Sequence, residues 1–358
     1  MAVSLAGGVA GGLMRAGIAM AAAPDGAWLG RAALGHAALM ICGFLGTVIG
    51  IERAVAVRLR TAFLAPAASG LGALCLLTGD SAAAAGAWLL AVAGAAFVAV
   101  HVVVVRRQRQ AHTILLLVGA LAWLVGNVLF AAGQGSASAV PWWFAFLVLT
   151  IAAERLEMTR LMPSCPAARV LLCAVLAALL TGAAASCAPG GWAVAGGVLY
   201  GVALALLALW LGAFDIARRT VFAHGLSRYM ALCLLGGYGW LGVAGVAWSA
   251  MALGWAARDA ALHALGLGFV VSMLMGHAPV ILPAVVRIKL QFGRVFYLPL
   301  ALLHLSLALR LCLGPYDAVL REAGAAANAA ALALFVLVIA GSAAAWRWGQ
   351  RPAARSQP

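Results

Sequence analysis

An all-α, polytopic membrane protein is the fold class that this sequence predicts, and three observations predict it. Hydrophobic residues fill 66% of the 358 positions and charged residues only 9%, which leaves too little polar surface to cover a soluble domain. The apolar residues gather into about twelve stretches, each near the ~20 residues that a helix needs to cross a hydrocarbon core. The basic residues are unevenly partitioned between alternate loops. With the N-terminus on the cytoplasmic side, eighteen Lys and Arg fall in inner loops and the C-terminal tail. Only Arg31, Arg258 and Arg321 fall in outer loops. That asymmetry predicts cytoplasmic termini in a bacterial inner membrane. It also accounts for the formal charge of +14 without any nucleic-acid partner, so the partner it implies is the lipid bilayer.

The expected spans are 4–23, 33–51, 62–79, 86–105, 112–133, 140–158, 169–188, 192–214, 229–253, 259–283, 295–313 and 326–347. They form one transmembrane domain, 1–348, followed by a short cytoplasmic tail, 349–358. Ala21-Ala22-Ala23 resembles a signal-peptide cleavage site, but no basic side chain precedes the apolar run and Arg15 interrupts it, so the stretch reads as a span. None of the seven cysteines stands in a Cys-x-x-Cys pair. Cys187 and Cys312 alone are placed to meet in an oxidising compartment.

Taken in order, the first span carries Arg15 near its middle, where a charge needs a carboxylate, a carbonyl or a cofactor anion, or must snorkel. The second, LGHAALMICGFLGTVIGIERAVAV, has His36 about one turn below the outer surface, with Met40 four residues on and so on the same face. A stripe of Gly43, Gly46 and Gly50 lets a neighbouring helix or a flat cofactor come close. This span ends in Glu52-Arg53. The third and fourth spans read as packing, with His101 and His112 as interfacial side chains. In the fifth, Asn127 reads as an interhelical hydrogen bond. The sixth opens on Trp142 and Trp143 as interfacial anchors and closes on Glu154-Arg155, an echo of Glu52-Arg53. These pairs either tie helix ends together or line a proton path. The tenth span, RDAALHALGLGFVVSMLMGHAPVILP, holds His263 and His277 and ends in Pro279 and Pro283, which predict a broken helix end. Its histidines lie about 21 Å apart in depth and within roughly 40° of one face. The eleventh adds His304 near mid-membrane and Arg310 near the outer interface.

Depth pairs the histidines. His36 and His263 both sit one turn below the outer surface on spans that run the same way, as the two axial ligands of a bis-histidine haem must. Arg310 is suited to a haem propionate. His277 and His304, with Met273 on the face of His277, mark a deeper candidate metal site, for which an imidazole and thioether pair suits Cu(I). No nucleotide loop, dinucleotide fingerprint or Ser-His-Asp pattern occurs.

The pattern His36, Met40, Gly43, Phe44, together with Leu262-His263-Ala264-Leu265-Gly266, resembles NnrS-type bacterial membrane proteins. These are twelve-span relatives of the haem-copper oxidase and nitric oxide reductase catalytic subunit. The chain also resembles an uncharacterised bacterial group carrying GFLGTVIGIERAVA, WWFAFLVLTIAAERLE and GFVVSMLMGHAPVILP. The resemblance implies a haem-copper-oxidase-like bundle with haem b ligated from the second and tenth helices, by His36 and His263, and with copper as a further candidate. It implies a role in nitric oxide handling or respiratory electron transfer, with a quinol or a respiratory complex as partner. The sixth and seventh spans contain no histidine, so the copper ligands of that superfamily have no counterpart here. Two other functions fit the residues. One is a cofactor-free secondary transporter of a small anion or metal, with Arg15, Asn127, His277 and His304 lining its path; the other is an assembly factor of a respiratory complex.

Overall fold

The computed structural model describes residues 1–19, 26–158 and 166–349. Ala21 to Asp25, Arg160, Arg351, Arg355 and all but the first residue of the expected tail lie outside them. The described residues form helices and no strands. Eleven helices are long and apolar enough to cross a membrane: α2 His36–Val57, α3 Arg60–Thr78, α4 Ser81–Arg107, α5 Ala111–Ala131, α6 Gly135–Met158, α7 Pro166–Ala185, α8 Gly191–Phe214, α9 Gly225–Ala252, α10 Arg258–Val285, α11 Arg294–Leu313 and α12 Ala318–Arg347. A shorter helix, α1, Ala2–Ala16, precedes them.

Helix α1 corrects the expected first span. It stops at Ala16 because Gly17 adopts a left-handed φ of 105° and closes the last turn onto the carbonyls of Leu13 and Met14, a glycine cap that halts a helix. Its 15 residues reach about 22 Å, less than the ~30 Å hydrocarbon core. Arg15 therefore sits in the last turn, where unpaired carbonyls favour a cation, instead of mid-span. Helix α10 is corrected in the opposite sense. It runs through Pro279 and Pro283 and turns only at Arg287, φ 55°, so the prolines do not break it; membrane helices accommodate them where packing satisfies the freed carbonyls.

Consecutive helices are neighbours, and α12 returns to touch α1. The innermost is α6, with 78% of its most apolar window buried, and it touches both α2 and α10. This explains why Trp143 is fully buried and is no interfacial anchor. Its Nε1 donates to Asn127 Oδ1 at 2.8 Å, and Asn127 Nδ2 donates to the Leu90 carbonyl at 2.7 Å. His101 is likewise buried, edge-on to Phe97 at 4.3 Å and bonded to the Phe97 carbonyl through Nδ1. Cys187 and Cys312 are free and exposed.

Three helices change pitch partway. Leu39–Gly46 in α2, Ala264–Val271 in α10 and Leu309–Leu313 in α11 are π-helical. Such wide turns are rare and often accompany functional sites. Here they begin just after His36 and His263, and the third contains Arg310.

Candidate functional site

A cavity of about 470 Å³ opens among α1, α2, α6, α10, α11 and α12, at the end where α2 and α10 begin. His36 reaches it from α2. Its Nδ1 donates to the Gly8 carbonyl at 2.7 Å, and its ring rests on Gly12, where a Cβ would stand 2.8 Å from Cε1. Glycine at both positions lets the α1 backbone come within reach of the imidazole. His263 reaches the cavity from α10. Its Nδ1 lies 2.9 Å from Asp259 Oδ1 and 3.0 Å from the Asp259 carbonyl one turn earlier. Asp259 is fixed in turn by Arg310, whose Nε and Nη2 donate to its two oxygens at 2.9 and 2.7 Å. Arg310, expected to serve an external carboxylate, is thus committed to a protein one.

With Nδ1 donating in both rings, Nε2 keeps its lone pair, and neither Nε2 has a hydrogen-bond partner among the described residues. The ring centroids are 6.2 Å apart and the ring planes 30° from parallel. A metal ion takes about 2.0–2.1 Å to each imidazole nitrogen, so rings at this separation leave room for one ion where their Nε2 atoms turn toward each other. No group of three or more His, Cys, Asp and Glu able to hold a metal occurs among the described residues. A metal seated here would have to bring its remaining donors with it.

The cavity is strongly cationic. Arg15, Arg258, Arg310 and Arg321 line it against one acid, Asp259. Arg15 Nη1 spends one bond on the Ala33 carbonyl, at 3.3 Å. Met40 lines the wall, with its sulfur packed where a Cβ at Gly8 would stand. Phe44, Phe144 and Leu267 supply apolar surface.

The other end of α2 and α10 is built differently. The two Glu-Arg pairs cross: Arg53 Nη2 donates to Glu154 Oε1 at 2.7 Å and lies 3.8 Å from Glu52. Arg155 Nη2 donates to His277 Nε2 at 2.8 Å, while His277 Nδ1 donates to the Met273 carbonyl at 2.6 Å. Both nitrogens of His277 are therefore in use. His304 accepts at Nδ1 from Trp240 Nε1, 2.8 Å away, so its proton is on Nε2. Neither ring offers a lone pair, and the Met273 methyl packs against Gly237. His277, His304 and Met273 are not brought together as metal ligands. Beside this cluster, Asp215 follows α8; its Oδ1 accepts from the Ala217 amide at 2.7 Å, and burial pushes its carboxyl above the ordinary range.

Sequence reasoning missed Asp259, Gly8 and Gly12. The first had a signal, since it stands four residues before His263 and therefore on its face. The glycines stand four apart on α1, but nothing in the sequence says which helix they meet. The family model described as Domain of unknown function (DUF8744) matches residues 1–344, from α1 into α12. The chain belongs to that family. No curated protein and no solved structure matches it.

Proposed function

We propose that the cavity seats a haem, which His36 and His263 would hold, and that the protein is a haem-binding membrane protein for electron transfer or nitric oxide handling. The observation that carries this reading is the pair of imidazoles 6.2 Å apart, each anchored behind by Nδ1. Two protein ligands without a third suit a metal that carries four equatorial donors of its own. The volume lies within the range of cofactor pockets, and the apolar wall suits a macrocycle. Arg15, Arg258 and Arg321 are the guanidiniums left to receive two carboxylates, because Arg310 is held by Asp259.

A bound haem would supply a one-electron couple. The protein groups then have separable tasks. His36 and His263 would hold the group, and the Gly8 carbonyl and Asp259 set their tautomers. Asp259, held by Arg310, makes His263 the more electron-rich of the two ligands. Phe44 and Phe144 would give the group apolar surface. Ligation from the second and tenth helices is what the haem-copper-like and NnrS-like resemblance implies, and the basic-residue asymmetry supports a bacterial inner membrane with cytoplasmic termini. No second metal is part of this reading, because His277 and His304 have no lone pair to give. Electron exchange with a quinol or a respiratory partner follows more naturally than reduction of oxygen at a binuclear centre. For the transporter alternative, a broken end of α10 at Pro279 and Pro283 would be the gate, and α10 continues through both prolines.

The test is the optical spectrum of detergent-purified protein from haem-replete cells, oxidised and dithionite-reduced. A Soret band with sharp reduced α and β bands, lost in His36→Ala and in His263→Ala, is the expected result. Absence of haem from the intact protein would overturn the reading.

A further inference from the structure

Helix α1 has two faces with different duties. Gly7, Gly8, Gly11 and Gly12 press against Leu77, Met40, Ala32 and His36, a small-residue contact that draws the α1 backbone close to α2, α3 and the short helix Ala27–Leu34 that precedes α2. The opposite face, Leu5, Val9 and Leu13 at four-residue steps, looks toward α12. There the contact is loose, because the intervening positions are alanines on both sides, Ala6 and Ala10 on α1 and Ala329 and Ala333 on α12. The result is an open groove of about 350 Å³ with an entirely apolar lining.

This groove adjoins the histidine cavity. Val9, Leu13, Ala329 and Leu332 line both, so the two volumes meet along a shared wall. Two residues past Leu13 stands Arg15, at the cationic end. From groove to cavity the lining changes from hydrocarbon-like surface to arginines and the histidine pair.

We propose that the groove between α1 and α12 is the lateral route by which haem reaches the His36 and His263 cavity from the bilayer. The inference rests on the haem reading. The occupant is chosen by its chemistry: a flat apolar body dissolves in the acyl layer and fits an alanine-lined slot, and its two carboxylates are matched by the arginines at the inner end of the route. A water-soluble anion finds no polar side chain in the groove to exchange for its hydration.

The experiment follows loading of the full-length protein, produced under haem limitation and reconstituted in phospholipid vesicles containing haemin. Ala333→Trp and Ala6→Trp fill the groove at positions that line it but not the cavity. Leu337→Trp, at a position on α12 that is 67% exposed and outside the groove, controls for an added indole. The expected result is that the two groove variants acquire the Soret band at least an order of magnitude more slowly than the parent. Their final amplitude and reduced spectrum should be those of the parent, and Leu337→Trp should load at the parental rate. Equal rates in parent and groove variants overturn the route and leave the haem reading standing. Loss of the final amplitude in variants with the parental melting temperature also overturns it, by making the groove part of the seat. A parent that never acquires the band overturns both.

Discussion

The two ends of the α2 and α10 pair hold the same kinds of side chain and use them in opposite ways. At the Glu52 end, the Arg53 guanidinium is paired with Glu154, and His277 spends both ring nitrogens inside the protein. At the His36 end, each imidazole spends one nitrogen and keeps one, the backbone widens into π turns, and a cavity opens. What separates His277 from His36 and His263 is therefore the number of ring nitrogens that the protein satisfies, whereas His101, whose Nε2 also has no partner among the described residues, has Phe97 rather than a second imidazole against its ring. Burial and residue type do not distinguish them.

Histidine replacement tests the contrast most directly. His36→Ala and His263→Ala should abolish the Soret band, whereas His277→Ala should leave it in place; a spectrum that survives the first two and fails in the third would invert the comparison. The next largest effect belongs to the paired end. Arg53→Ala leaves Glu52 and Glu154 without their shared cation, and should cost about 2–3 kcal/mol, below the 3–5 kcal/mol of a fully buried pair because both partners are partly exposed. Denaturant unfolding in detergent would read this as a loss of stability with haem content per folded molecule unchanged.

A finer test divides the open end against itself, since His36 is backed by a neutral carbonyl and His263 by a carboxylate. Asp259→Asn should keep the Soret band but raise the midpoint potential by some tens of millivolts, because a weaker acceptor makes His263 a poorer donor to the oxidised iron. A spectroelectrochemical titration with the same midpoint as the parent would remove Asp259 from that role. The smallest effect is at Asp215. Its carboxyl holds its proton more tightly folded than unfolded, so the contribution to stability is present at low pH and lost as pH rises through the raised value. The parent should melt lower as pH increases above the usual carboxylate range. Asp215→Asn, which keeps an oxygen for the Ala217 amide, should flatten that slope, a change of about 2 °C.

Composition and periodicity made eleven of the spans legible, because a stretch that must satisfy its backbone inside hydrocarbon announces itself by length and apolarity. The histidine pair was legible for a related reason: span boundaries fix depth, and His36 and His263 share a depth. Rotation and backbone pitch carry no such mark. The sequences LMICGFLG and ALGLGFVV look like any other membrane-helix segments, yet both are π-helical. The end of α1 turned on one left-handed glycine, Gly17, among 42 glycines. Pro279 and Pro283 misled because a proline breaks a helix only where the neighbours leave the freed carbonyl unsatisfied. Arg310 found Asp259 before it could serve anything else, and an ion pair between residues 51 apart in sequence has no local signature.

The contact between the last helix and the first also sets an order of events during synthesis. His36 leaves the ribosome early and His263 more than two hundred residues later, and the wall that α12 gives the cavity is made later still. At about 5–20 residues per second, the first histidine waits some tens of seconds for its counterpart. Until α12 docks on α1, the imidazole of His36 faces acyl chains or unfinished protein. On the haem reading, cofactor insertion would therefore follow assembly of the whole bundle and would not guide the early helices into place.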